Sequence, residues 1–169
     1  MNLDFYISRL SANAKTIESL VSDLSDEQIL WRNYSGKWSI LQVVFHLRQT
    51  ELKDFRSRLE KTLRDETEDW IQLVPEEMQL AQDENTENNL AELLQDFIAE
   101  RKESIAWLNA LENPTFENAQ QHLRLTAGDL LASWLAHDFL HIKQIVRLQY
   151  DYANDISQPY TTEYAGEWS

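Results

Sequence analysis

No cysteine occurs anywhere in the 169 residues. A disulfide framework, a thiolate metal site and a cysteine nucleophile are therefore excluded, and any metal ion would have to be held by His, Asp or Glu. Glycine and proline are nearly as scarce, at three each. So few sharp turns favour long helices over a many-turned β architecture. No apolar run approaches the ~18 residues of a membrane-spanning helix, so no membrane association is expected. The opening residues, MNLDFYISRL, lack a basic stretch followed by an apolar one; no signal peptide is read there, and the cytoplasm is the expected compartment. Positive charge is also in short supply. Fifteen Lys and Arg face 29 Asp and Glu, for a net charge of −14. A chain of that sign repels phosphate backbones, and no basic stripe offsets it, so no nucleic-acid partner is expected.

What is present is helical periodicity. Hydrophobic residues make up 43% of the chain, enough for one domain with a sizeable core. Leu3, Tyr6, Ile7, Leu10, Ala14, Ile17, Leu20 and Val21 recur at helical spacing and predict a first helix over 3–22. Ser25 with Gln28 predicts a capping box opening a short helix. Ser39 with Gln42 predicts another, opening a second long helix that carries an apolar stripe to about Leu63, with Trp38 stapled before it. Residues 65–86 are acidic and weakly periodic and read as a long crossover. A third helix is predicted from about Glu87 to Leu111, with Leu90, Leu94, Phe97, Ile98, Arg101, Ile105 and Leu108 on one side. TFENAQQHLRL follows as a loop or short helix. Thr126 with Asp129 forms a third capping box and opens a fourth helix that runs to Tyr150. Four long helices around one core predict an all-α four-helix bundle, and the crossover between helices 2 and 3 argues against a plain up-down-up-down chain. The expected domain is 1–151, with 152–169 as a C-terminal tail.

Within the fourth helix, WLAHDFLHIKQI places His137 and His141 four residues apart, on one face. Two side chains one turn apart can ligate one ion, yet such a pair is more often a pair of satisfied core or surface histidines. It also lacks the Glu of an H-E-x-x-H motif, since Asp138 follows His137. His46, beside Phe45 on the stripe of the second helix, adds a third imidazole that facing helices could bring to the same place. His122, in the connection before the fourth helix, is balanced between an exposed loop residue and a group near an open metal position.

GKWSILQVVFHLRQTE (residues 36–51) and LTAGDLLASWLAHDFLHIKQI (125–145) together resemble the DinB-like (DinB/YfiT) family, in order and spacing over nearly the whole chain. In the first stretch a Trp-Ser opens a helix that contains a His; the second carries His, three residues, His, then Gln. The resemblance implies a four-helix bundle with a divalent metal, and carries the ligand role to His46, His137 and His141. Gln144 matches a recurrent position without an assigned role. The resemblance also implies a metal-dependent enzyme, a thiol-dependent transferase or a hydrolase, acting on a small-molecule substrate. A low-molecular-weight thiol as cosubstrate and a homodimer belong to the same expectation.

Three neutral imidazoles would leave an ion its full charge and open positions, lowering a bound water's pKa toward ~7 or favouring a thiol's anion. The ligand set does not choose among Zn, Ni, Fe and Mn. Because each ligand must be neutral, affinity is expected to fall as pH drops below ~6.5. No nucleophile or general base stands out, and the catalytic residues stay unassigned. Glu51 is off the face of His46 and Asp138 is rotated by ~100° from His137, so both are expected at the surface or behind the ligands. Trp38, Trp107 and Trp134 fall on or beside apolar stripes, with Trp134 expected to line the site. Trp70 and Trp168 lie in weakly structured segments, where exposed aromatics would suggest a partner. Two further readings stay open: a non-catalytic metal-binding or stress-related protein, and a metal-free helical module with ordinary core histidines.

Overall fold

The computed structural model describes residues 1–34, 37–64, 89–120, 125–166 and 168. The predicted crossover with Trp70, and His122, lie outside the described residues. Helix α1 spans Leu3–Val21, and its Asn2 cap accepts from the Phe5 backbone N–H. The short α2 spans Asp26–Leu30 and α3 spans Ile40–Thr50, each opened by the predicted Ser–Gln capping box. The backbone continues from α3 through a π-helical stretch, Glu51–Arg56, into α4, Ser57–Leu63. Helix α5 spans Leu90–Asn109. A two-residue antiparallel ladder, Ala119–Gln120 with Leu125–Thr126, precedes α6, Ala127–Ile156. The stretch expected as loop or short helix thus contributes a small β ladder, and α6 continues past Tyr150 to Ile156.

Side-chain pairings fix the helix directions. Gln149 donates to the Leu20 carbonyl at 2.8 Å, so α1 and α6 end side by side and run parallel. His46 meets His137 while Phe55 stacks on Trp134, so the α3–α4 helix runs antiparallel to α6. Arg48 pairs with Asp96 and Arg56 with Glu100, so the same helix runs parallel to α5. Both α1 and α3 pack against α5 and α6, which puts consecutive long helices across the diagonal. Parallel neighbours cannot be joined by a tight turn. The chain between Leu63 and Leu90 starts at one end of the bundle and finishes at the other, about 30 Å away for a helix of this length. That is the physical reason for a long crossover between helices 2 and 3.

The core divides into two apolar clusters. One gathers Ile17, Val21, Val43, Val44, Leu47, Phe97 and Ile145; the other gathers Leu10, Leu59, Leu108, Leu131 and Trp134. On each long helix the change from one cluster to the other falls at the same level, and buried polar residues occupy it: Asn13, Glu51, Arg101 and Asp138. The histidines lie at this level too, on α3 and α6.

Helix α6 carries two of the three imidazoles, so its cap bears on the site. Thr126 Oγ1 accepts from the Asp129 backbone N–H at 3.0 Å, and Asp129 returns an acceptor to the Thr126 backbone N–H at 2.9 Å. Thr126→Ala is expected to cost about 1 kcal/mol, read as a fall of roughly 2–4 °C in Tm. An unchanged melting curve would mean that the ladder, not the cap, sets the start of α6.

Candidate metal centre

His46, His137 and His141 come together. Their ligand atoms all lie within 4.8 Å of one another, and among the described residues this is the one group of three or more His, Asp or Glu so placed. His137 Nε2 stands 3.1 Å from His46 Nε2 and 3.1 Å from His141 Nε2. The capping box at Ser39 fixes where α3 begins, and His46 lies two turns further on. On α6, the i,i+4 spacing puts the other two rings on one face, edge to face with 4.4 Å between centroids.

Aromatic rings hold the imidazoles from outside. Trp38 lies 4.8 Å from the His46 ring and is near-parallel to that of His141 at 6.3 Å. Phe55 lies 5.0 Å from the His137 ring and stacks on Trp134 behind it. Trp134 therefore belongs to the core behind Phe55, and Trp38 with Phe55 forms the walls. Trp38 is the residue before the α3 cap. Phe55 comes from the π-helical stretch, whose wider turn brings it round to face α6.

Glu51 and Asp138 are neither at the surface nor free. Both are buried, and both are paired with Arg101. Arg101 Nε and Nη2 donate to the two Glu51 oxygens at 2.7 and 2.8 Å. Nη1 and Nη2 donate to Asp138 at 2.7 and 2.9 Å, and Nη1 also donates to the Leu10 carbonyl at 2.9 Å. All five guanidinium N–H groups are thus used. Trp134 Nε1 donates to Glu51 Oε2 at 3.0 Å, which joins the cluster to the wall behind His137. Two carboxylates and one guanidinium leave this layer with one net negative charge beside the imidazoles.

Burial and mutual repulsion keep the imidazoles neutral. His46 is lowered to about 4 by burial, then by the charge of His141. His137 is lowered to about 3 by burial, then by His141, His46 and Arg101. His141 is also lowered by burial, against the opposing pull of its Gln144 hydrogen bond and the Asp138 charge.

This donor set fits a metal ion. Two imidazole nitrogens on one ion, with bonds of about 2.0–2.1 Å and near-tetrahedral angles, stand roughly 3.3 Å apart. The 3.1 Å spacings are close to that. Three neutral rings at pH 7 present the lone pairs a divalent ion requires. His141 has its other nitrogen engaged, with Nδ1 2.9 Å from Gln144 Oε1, the arrangement that orients metal-binding histidines. A cavity of about 970 Å³ opens elsewhere, between α1, α2 and α5; Ser22, Ile29, Leu94 and Ile98 line it and no histidine does. The chemistry-bearing residues are not there. No helix among the described residues is long and apolar enough to cross a membrane.

Comparison with known proteins agrees with the geometry. The search of curated proteins returned no match. Among solved structures, the fold is similar to that of YfiT from Bacillus subtilis, with a TM-score of 0.76 at 19% identity, covering 89% of this chain and 87% of that one. That protein is described as "a probable metal-dependent hydrolase with an unusual four-helix bundle topology". Residues 9–145 match the DinB superfamily, a span that takes in all three histidines, and the chain belongs to that superfamily.

Proposed function

We propose that this protein is a metal-dependent enzyme that acts on a small molecule, with His46, His137 and His141 holding one divalent ion. The observation that carries the reading is the convergence of three imidazole nitrogens, 3.1 Å apart in two of the pairs, from two facing helices. Membership of the DinB superfamily and likeness to a fold described as metal-dependent support it. A bound ion would supply a Lewis acid with open positions for an oxygen or sulfur ligand.

The rest follows from the chain's own residues. Trp38 and Phe55 wall the imidazoles and offer apolar contact to a substrate. Glu51 and Asp138, the carboxylates nearest the ligands in sequence, are committed to Arg101. Neither is placed to take a proton from a substrate, because both are buried and their oxygens accept from Arg101. Chemistry that needs no protein carboxylate as base is therefore favoured. Transfer to a low-molecular-weight thiol, whose anion forms readily near neutral pH, meets that condition. Hydrolysis is the second reading, favoured by the likeness to YfiT. A homodimer belongs to the same proposal, since α6 exposes Phe139 and Leu140 side by side.

The test has two parts. Protein purified without a His tag is expected to carry close to one divalent ion per chain, and His137→Ala to carry essentially none. Failure of the wild type to take up Zn, Ni, Fe or Mn on titration would overturn the reading. A substrate screen on the loaded protein, with and without thiols, then separates the two chemistries. Thiol-dependent turnover supports transfer, and turnover in water alone supports hydrolysis.

A further inference from the structure

We propose that Gln144 is a positioning residue that fixes the tautomer of His141, so that its Nε2 lone pair is directed at the other two imidazoles before any ion arrives. The inference rests on the metal reading above and adds a role for a residue outside the three histidines.

Gln144 lies three residues beyond His141, on the same face of α6. Its Oε1 is 2.9 Å from His141 Nδ1. With the carboxamide oxygen turned to the ring, Gln144 accepts and Nδ1 carries the proton. In a neutral ring that leaves the lone pair on Nε2, the atom 3.1 Å from His137 Nε2. A neutral imidazole in water favours the opposite tautomer, with the proton on Nε2. Without Gln144 the preferred proton position would therefore be on the ligating atom itself.

The three ligands are not equally prepared. Among the described residues, His46 and His137 have no hydrogen bond from their second ring nitrogen; Trp38 and Phe55 place them by ring contact alone. His141 is both placed and protonated correctly in advance. Gln144 is half-buried, so replacing it removes a hydrogen bond without opening a core cavity.

The experiment reads the proton directly. In metal-free protein with 15N-labelled histidine at pH 7, long-range proton–nitrogen spectra are expected to show His141 protonated on Nδ1 and bare on Nε2. Gln144→Leu is expected to shift His141 toward the Nε2–H form while the melting temperature of the metal-free protein stays close to that of the wild type. Zinc affinity should fall by about 10- to 100-fold in the same variant, as for other outer partners of metal-bound histidines. Gln144→Glu, which can accept the same hydrogen bond, should keep the Nδ1–H form and restore the affinity. A wild-type His141 protonated on Nε2 would overturn the proposal, because Gln144 would then be donating. So would zinc affinity in Gln144→Leu within about twofold of the wild type, far from the loss expected for a ligand-orienting partner. If the wild type binds no zinc, the metal reading fails, and the spectra alone decide whether Gln144 sets the tautomer.

Discussion

Replacing Arg101 with methionine is expected to destabilise the protein by about 3–5 kcal/mol, measured as the shift in a urea unfolding midpoint. The guanidinium is only 3% exposed, and Glu51 and Asp138 are 1% and 0% exposed. Burial alone would push the arginine toward losing its proton. The hydrogen bonds and charges of Asp138 and Glu51 outweigh that and hold it further above its ordinary value. Methionine fills much of the volume but removes all five donors, so two carboxylates would face each other in the core without a cation. One would have to take up a proton or the helices would have to separate. The cost comes from the stranded charges, not from the worth of the ion pairs. Combining Arg101→Met with Glu51→Gln and Asp138→Asn should therefore recover a large part of the loss, although Arg101→Met alone is the smaller change in sequence. A single variant within about 1 kcal/mol of wild type would mean that water reaches this layer and screens it.

The same layer shows where sequence reasoning stopped. Capping boxes at Ser25, Ser39 and Thr126 were legible because each is a contact between residues three apart. The bundle was legible from apolar periodicity, and the crossover from its composition. The histidine site was legible too, since His137 and His141 share a face by spacing alone and the family motif adds His46. Arg101 was visible on the apolar side of the third helix, but spacing alone does not tell a buried arginine from one that reaches to water. The anions beside it could not be picked out. Spacing from His46 on a regular helix leaves Glu51 either at the surface or behind the ligands, and does not choose between them. The π-helical stretch that begins at Glu51 has no signature in the sequence. Asp138 was placed by its rotation from His137, but how far the bundle interior extends round α6 depends on which helices flank it. That is a tertiary fact: α1 and α3 flank α6, and Asp138 reaches between them to Arg101 of α5 across the bundle.

The metal-free protein is expected to lose stability as the pH falls from about 6.5 toward 4, and to do so before its folded state takes up protons at the histidines. In the unfolded chain each imidazole titrates near 6.5, whereas in the fold His46 is lowered to about 4 and His137 to about 3, both mainly by burial. Above 6.5 both states are neutral, and the stability from these groups is complete. Below 6.5 the unfolded chain binds protons that the folded one refuses, so stability drops by up to about 1.4 kcal/mol per pH unit for each such histidine. The loss ends only when the pH passes the folded values. Urea melts at pH 7, 6 and 5 in the presence of a chelator would show it, and His137→Leu should flatten the slope by about one proton. The same shifts move the window for metal binding. Ordinary imidazoles would begin to lose an ion below ~6.5, but in the folded protein all three are lowered, His46 to about 4 and His137 to about 3. Affinity for zinc, measured by calorimetry on folded protein, should therefore fall less between pH 7 and pH 6 than three ordinary imidazoles would allow, and most steeply as the pH nears 4. A steep fall already at pH 6, together with stability that is flat over the same range, would mean that the imidazoles titrate as in water. The enclosure by Trp38, Phe55 and the Arg101 layer would then not be dry enough to keep three lone pairs free.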